Sequence, residues 1–166
     1  MDNSPKVLIM MGSDSDLPVM QEAAGILAKF GVPYEIRISS AHRSPVRTMA
    51  LASEATGRGV RIIIAGAGMA AHLAGVVAAK TTLPVIGVPM PGGALNGVDA
   101  LYSTVQMPAG IPVATMAIGR AGAKNAGIFA VQILALTDAR LEEALGAYRR
   151  EMDREVEQKD TALQAS

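Results

Sequence analysis

The stretch Val7-Leu-Ile-Met-Met11, followed at once by Gly12-Ser-Asp-Ser-Asp16, decides the fold of this chain. Five consecutive apolar residues predict a strand that is buried on both faces, as strands of a parallel sheet are. The polar turn leads into apolar residues at helical spacing, with Pro18 near the start of the helix and Gly31 at its end. Strand, turn and helix in this order are the first unit of an α/β fold.

The same strand and helix pattern continues along the chain. Short apolar runs alternate with helical patterns through short connections, which predicts an α/β fold of three layers, with a parallel sheet between helices on both faces. Ligands of such sheets bind at the carboxyl ends of the strands. The further strands are predicted over 34–39, 61–65, 83–88 and 111–118, and the helices from Pro45, after His72, over 98–105 and over 121–136.

The length of 166 residues predicts a single domain with a core over about 7–136 and a C-terminal amphipathic helix over about 138–158. This helix carries a narrow apolar stripe among many charges, which leaves two alternatives open. It packs either on its own domain or on a neighbouring subunit. The stripe consists of Leu141, Leu145, Tyr148, Met152 and Val156.

Composition excludes several classes of function. Lys and Arg balance Asp and Glu at 15 each, so no basic face for nucleic acid is expected. The chain has no cysteine and only two histidines, which predicts no metal site. Its apolar runs are too short to span a membrane, and Met1 to Lys6 lack the features of a signal peptide, so we expect a cytoplasmic protein. Because its abundant Ala and Gly bury little area per residue, we also expect an oligomer.

The turn after the first strand has the features of an anion site. Backbone N–H groups at a helix start attract a phosphate, and Ser13 and Ser15 offer further donors. Because a carboxylate repels phosphate, Asp16 is expected to hold a sugar hydroxyl instead. The alternative is that these Ser and Asp residues only cap the helix.

Ser40-Ala-His-Arg-Ser-Pro45 follows the second strand and opens on the same edge of the sheet. Arg43 offers a bidentate fork for phosphate or carboxylate. Histidine suits proton transfer near neutral pH, which makes His42 a candidate acid and base. The alternative is a structural histidine. His72, at the start of a later helix, either orients a ligand or caps that helix.

Gly66-Ala-Gly68-Met-Ala-Ala71 matches the glycine pattern of dinucleotide-binding proteins. That pattern belongs on the first strand of its unit and needs an acidic residue about 20 positions later, and this chain meets neither condition. We therefore predict a loop whose glycines let the main chain approach a ligand closely. The stretch from Pro89 to Gly97 is interpreted as a lid over the crevice, or else as an ordinary surface loop.

Several blocks together resemble the catalytic subunit of phosphoribosylaminoimidazole carboxylase over about 7–136. These are Met11-Gly-Ser-Asp-Ser-Asp16, Ser40-Ala-His-Arg-Ser-Pro45, Ala65-Gly-Ala-Gly68 with Ala71-His72, Lys80 to Pro89, Ala94 to Asp99 and Val105-Gln-Met-Pro108.

The resemblance implies a flavodoxin-like fold, a homo-octamer and a step of de novo purine (IMP) biosynthesis without metal or organic cofactor. In the bacterial branch the enzyme is N5-carboxyaminoimidazole ribonucleotide mutase, which moves a carboxyl group from N5 to C4 through trapped CO₂. A functional partnership with the synthase of that ribonucleotide is implied as well. The other branch carboxylates the aminoimidazole with free CO₂ and typically has Lys where this chain has Arg43, so Arg43 favours the mutase. A non-enzymatic flavodoxin-like nucleotide-binding module remains an alternative.

The resemblance also implies roles for individual residues. The catalytic histidine falls on His42, the phosphate-binding arginine on Arg43, and a second histidine on His72. The substrate-binding surface is expected to comprise Gly12, Ser13, Ser15, Asp16, Ser40, Ala41, Arg43, Gly68 and His72. Departures from the family's pattern at Met69, Ala74 and Met90-Pro-Gly-Gly93 are expected to alter the base pocket and the lid.

Overall fold

The computed structural model describes residues 4–165. Residues 1–3 and 166, which the single-domain prediction includes, lie outside this range. The described residues form two compact units that divide between Ala130 and Val131. Of the helices within residues 4–165, none combines the length and hydrophobicity that crossing a membrane requires.

The first unit is built on a sheet of five parallel strands in the order β2-β1-β3-β4-β5. At its centre Ile9 of β1 aligns with Ile36 of β2 and with Ile64 of β3. This order is that of the flavodoxin-like fold, so the predicted fold class is confirmed. The strands are β1 (Val7–Met11), β2 (Tyr34–Ile38), β3 (Ile62–Ala67), β4 (Val85–Pro89) and β5 (Ala114–Thr115).

Helices follow each strand, as the sequence predicts. Short 3-10 turns at Asp14–Asp16 and Thr56–Arg58 precede α1 and follow α2. The last helix of the first unit, α5, continues into the second unit. The helices are α1 (Leu17–Lys29), α2 (Pro45–Ser53), α3 (Leu73–Ala78), α4 (Val98–Val105) and α5 (Arg120–Ala135).

Both faces of the sheet are covered by helices. On one face Leu8 and Ile63 belong to a buried cluster with Ala52 of α2 and Val77 of α3. On the other face α1 lies so close that a Cβ added to Gly66 would be 2.6 Å from the sulfur of Met20. Successive strand residues point to opposite faces, which explains why the inner strands β1, β3 and β4 are apolar and buried, whereas the edge strand β2 carries Glu35 and Arg37.

The strand boundaries differ from the prediction by one or two residues in β2, β3 and β4 and by three at each end of β5. β5 is only Ala114–Thr115, although a strand was predicted over 111–118. It is an edge strand that pairs with β4 alone, and Pro112 has no N–H to donate to a ladder. β3 runs two residues beyond the predicted end at Ala65, because Gly66 and Ala67 continue the pairing with β4.

The second unit contains α6 (Ala139–Gln164), which ends six residues beyond the predicted boundary at 158. Asp138 caps it, since its side chain accepts hydrogen bonds from the backbone of Arg140 and Leu141. Of the predicted stripe, Leu141 and Tyr148 are buried, whereas Met152 and Val156 are exposed. The C-terminal half of the stripe therefore remains solvent-exposed, and the single-domain prediction stays a prediction.

Candidate active site

The carboxyl ends of β1 to β4 border a cavity of about 520 Å³. The serine-rich turn after β1 and the histidine after β2 lie on the same cavity, as the sequence predicts. Their roles in binding and catalysis stay predictions. All the predicted site residues line this cavity, namely Gly12, Ser13, Ser15, Asp16, Ser40, Ala41, His42, Arg43, Gly68 and His72.

The turn after β1 is held together by its own side chains. The hydroxyl of Ser13 accepts a hydrogen bond from the backbone N–H of Ser15 at 3.4 Å and donates to a carboxylate oxygen of Asp14 at 3.0 Å. Ser13 therefore caps the 3-10 turn Asp14–Asp16, and whether it also binds a ligand stays a prediction. Asp16 makes no such cap. A ligand anion at Ser13 would have to replace Asp14 as the acceptor of its hydroxyl proton.

Asp16 is half-buried, and its environment favours the neutral carboxyl. Burial raises the pKa of Asp16 above its ordinary value of 3.8, and the negative charge of Asp14 raises it further, while a hydrogen bond from the Ser13 backbone opposes both effects. A partly desolvated carboxylate gains from a neutral hydrogen-bond donor. This environment suits the predicted contact with a sugar hydroxyl.

The turn after β2 is tied by short-range hydrogen bonds. The Ser44 hydroxyl accepts from the backbone N–H of Ser40 and donates to its carbonyl, while the Ser40 hydroxyl accepts from the backbone N–H of Arg43 at 3.1 Å. The guanidinium of Arg43 donates to the carbonyl of Gly12 at 3.1 Å. This contact joins the turn after β2 to the turn after β1 and places a positive charge on the cavity wall.

His42 and His72 form a hydrogen-bonded pair. Nε2 of His42 lies 2.8 Å from Nδ1 of His72, and the two rings meet edge to face with centroids 4.9 Å apart. His72 precedes α3 without capping it, so the capping alternative for this residue is wrong. One of these two ring nitrogens donates to the other, so the tautomer of each ring depends on the other. The pair places two imidazoles on the cavity wall, and its acid–base role stays a prediction.

This pairing was not predicted from the sequence. The two histidines are 30 residues apart and follow β2 and β3, which lie on either side of β1 in the sheet. The only available signal was that each histidine directly follows a turn at the same edge. The strand order, which brings these turns together, is a property of the folded chain.

Within residues 4–165, no group of three His, Cys, Asp or Glu side chains is arranged to hold a metal ion. The acidic residues of the cavity wall are engaged in the turn after β1 instead.

Comparison with known proteins decides the family. The model of the AIR carboxylase family matches residues 6–155. The chain belongs to the AIR carboxylase family. Among its relatives in this family is the N5-carboxyaminoimidazole ribonucleotide mutase of Pyrococcus horikoshii, which is 57% identical over 96% of this chain and 89% of its own length.

Two further relatives extend the comparison. The phosphoribosylaminoimidazole carboxylase of Candida albicans is 56% identical over 92% of this chain, which corresponds to 27% of that longer protein. The crystal structure of Treponema denticola PurE superposes with a TM-score of 0.86 at 30% identity and covers 96% of this chain and 98% of that one. The resemblance inferred from the sequence motifs is confirmed.

The glycine-rich loop of this AIR carboxylase family member makes room for methionine side chains, whereas its predicted close approach to a ligand stays a prediction. A Cβ on Gly66 would lie 2.6 Å from Met20 and from Met90, and one on Gly68 would lie 3.3 Å from Met90. The glycines therefore admit methionine side chains of the protein, rather than serving only a close approach to ligand. Gly68 lines the cavity as well.

Only part of the stretch from Pro89 to Gly97 borders the cavity. Pro89 ends β4, and Met90 is buried, with its N–H donating to the carbonyl of Ala67 at 2.8 Å. Met90 lines the cavity together with Pro91, Gly92 and Gly93, which are exposed. Whether this part acts as a lid or is an ordinary surface loop stays a prediction.

The departures from the family's pattern divide between the cavity and the core. Met69 has a positive φ of 54° and is 64% exposed on the rim of the cavity. Its Cγ would be 3.5 Å from a Cβ on Gly93, so it lies beside the lid segment. Ala74 is buried and does not line the cavity, so it makes no direct contact there, and its expected effect on the base pocket stays a prediction.

Proposed function

We propose that this protein is an N5-carboxyaminoimidazole ribonucleotide mutase that moves a carboxyl group from N5 to ring carbon C4. The observation that carries the proposal is one cavity that holds an imidazole pair, a guanidinium and a serine-rich turn. The cavity thus offers acid–base chemistry beside groups that bind a phosphorylated sugar. The relative from P. horikoshii, which bears the name of this mutase, supports the same activity.

In this reaction one bond to the carboxyl carbon breaks and another forms. The bond between N5 and the carboxyl carbon breaks, CO₂ leaves, and the electron pair stays on N5, which takes a proton from His42. The electron-rich C4 then attacks the retained CO₂, and the proton lost from C4 returns to His42. No proton is gained or lost overall, so one acid–base group suffices.

The cavity contributes by holding the reactants together. Keeping CO₂ against C4 avoids a bimolecular encounter, which lowers the barrier by roughly 7 kcal/mol or more. The segment Pro91 to Gly93 limits the entry of water when it covers the ligand. The hydrogen bond to His72 sets which nitrogen of His42 carries the proton.

The substrate is anchored at the other wall of the cavity. Arg43 and Ser13 bind the 5′-phosphate, and Asp16 accepts a hydrogen bond from the ribose. The backbone of Gly12, Ser15, Ser40, Ala41 and Gly68 completes the binding surface. Arg43 is suited to this role because, among the residues described, no carboxylate lies within 4.0 Å of its guanidinium.

The test uses N5-carboxyaminoimidazole ribonucleotide with a ¹³C label in the carboxyl group, in the presence of unlabelled bicarbonate. A mutase that traps CO₂ forms the 4-carboxy product with the label retained, and ultraviolet absorbance follows the conversion. Product formed only from aminoimidazole ribonucleotide and free CO₂ would instead assign the carboxylase activity. Binding without conversion of either compound would assign a nucleotide-binding module.

We also propose that the protein acts as a homo-octamer. α4 exposes three apolar side chains at helical spacing, Val98, Tyr102 and Val105, and the turn before it exposes Leu95. Such a stripe supports burial against another copy of the chain. Sedimentation equilibrium tests the proposal, and a monomer at micromolar concentration would contradict it.

The exposed part of the stripe on α6 is proposed to lie against a neighbouring subunit of this assembly. The substrate is a charged phosphate ester, which does not cross membranes, so we place the enzyme in the cytoplasm. Because its N-carboxyl group is labile, a functional partnership with the synthase that forms it is part of the same proposal.

A further inference from the structure

A second cavity, of about 540 Å³, adjoins the first. The two share Gly12, Ser13, Ser40 and Arg43, so the Arg43 side chain stands where they meet. Beyond Arg43 the second cavity is lined by Asp14, Ile38, Ser39, Ser44 and Arg47. Arg47 has no part in the function proposed above.

The hydroxyl groups of this second cavity are already engaged. The Ser39 hydroxyl pairs with that of Thr48 at 2.8 Å, and the Ser44 hydroxyl donates to the carbonyl of Ser40 at 3.0 Å. The Ser13 hydroxyl donates to Asp14. The side-chain donors available without breaking one of these bonds are therefore those of the two guanidinium groups, whereas Ser13 has to exchange Asp14 for the ligand.

Both guanidinium groups lack a counter-charge within the part of the chain that the structure describes. No carboxylate lies within 4.0 Å of Arg43 or Arg47, whereas Arg37 and Arg58 nearby are both paired with Glu35. Asp14, the one acid in the lining, accepts from Ser13 and Ser15 of its own turn. The cavity thus presents two guanidinium groups without an ion-pair partner and one carboxylate, that of Asp14.

We propose that Arg47 is a second phosphate-binding residue, and that the 5′-phosphate lies between Arg43 and Arg47 in this second cavity. The inference rests on the proposed function, because it concerns the same nucleotide. A phosphate monoester carries a charge of about −1.5 to −2 at neutral pH, so two guanidinium groups match it better than one. The first cavity then remains for the ribose and the imidazole beside His42 and His72.

The experiment compares Arg47→Met with Arg61→Met. Arg61 is exposed and directly precedes β3, at the opposite end of the sheet from the site, so its loss changes the net charge equally. Arg47→Met is expected to raise KM roughly tenfold, the loss typical of a charge-assisted contact, with little change in kcat. Arg61→Met is expected to leave both constants unchanged.

Direct binding separates this inference from the proposed function. Calorimetry with aminoimidazole ribonucleotide and with its riboside, which lacks the phosphate, requires no turnover. Arg47→Met should weaken binding of the ribonucleotide about tenfold and leave the riboside unaffected. An unchanged ribonucleotide affinity would overturn the role of Arg47 even if the enzyme is a mutase. Normal phosphate discrimination in a protein that does not convert the substrate would overturn the proposed function alone.

A second variant tests the location of the phosphate. Asp14→Asn removes the negative charge that lines the second cavity while keeping a side chain of the same shape. It should tighten binding of the ribonucleotide severalfold, with no effect on the riboside. If both compounds respond equally, or if the ribonucleotide binds less tightly, the phosphate does not lie in this cavity.

Discussion

The interior of the sheet and its carboxyl edge are built from the same strands but follow different rules. Ile9 and Ile64 in the middle of β1 and β3 are fully buried and contribute packing. In the turns that follow β1 and β2, His42 and Arg43 are exposed, and Asp16 is half-buried, which disfavours its charged form. The difference shows that stability is concentrated in the strands, while the site is carried by loops at their ends.

The largest effect is expected in the interior. Ile64→Ala should lower the free energy of unfolding by about 2–5 kcal/mol, because it leaves a cavity where β3 packs between β1 and β4. Ile38→Ala is the matched control, since that side chain is 47% exposed, and its cost should stay below about 1 kcal/mol. Urea denaturation measures both. Equal losses of unfolding free energy in the two variants would contradict the distinction between the interior and the edge of the sheet.

At the edge, His42→Asn should reduce turnover by about a hundredfold or more, which corresponds to roughly 2.7 kcal/mol in the barrier. Because the side chain is exposed, the free energy of unfolding should change little. Steady-state kinetics measure the turnover, and urea denaturation of the same sample measures the free energy of unfolding. Wild-type turnover in this variant would remove His42 from acid–base catalysis.

A smaller effect is expected at Asp16, where the two regions meet. Its pKa is raised in the folded protein by burial, so the folded state binds more protons than the unfolded state between the ordinary pKa of 3.8 and the raised value. The free energy of unfolding therefore falls as pH rises through that window and stays lower at neutral pH.

Asp16→Asn removes this penalty. At pH 7 the variant should be more stable than wild type by less than about 1 kcal/mol, since a half-exposed charge is screened by solvent, while its affinity for the ribonucleotide falls. Denaturation from pH 3 to pH 7 measures the gain, which should vanish at the acid end. A variant that is less stable at neutral pH would contradict the assignment.

The smallest effect is expected for Met69→Gly on the rim. Glycine relieves the positive φ of 54°, worth about 1–2 kcal/mol, but the freer unfolded chain offsets most of this gain. Thermal unfolding should shift by no more than a few degrees. Gly25→Ala, in open space within α1, is the control for the entropy effect alone and should stabilise by roughly 0.5–1 kcal/mol.

Short stretches of sequence were sufficient to predict most of the strands and helices, because each of these elements is recognised from residues that are close together in the chain. The continuous apolar run of β1 and the positions of Pro18 and Gly31 around α1 agree with the structure. The predicted length of β5 was wrong, since an apolar sequence does not reveal that this strand lies at the edge of the sheet, where it pairs with one strand only. The sequence also did not show that Ala74 lies in the core, since that depends on how α3 packs on the sheet.

The sequence by itself determined the alternating strands and helices and the family motifs, both of which depend on residue types at short spacing. Through these motifs, the resemblance to the family implied ten of the residues that line the cavity. Only the tertiary structure decided that His42 meets His72, and that Arg47 joins Arg43 on a second cavity. The first contact depends on the crossover that places β1 between β2 and β3, and the second depends on which side of α2 faces the turns. Both arise only when the strands pair.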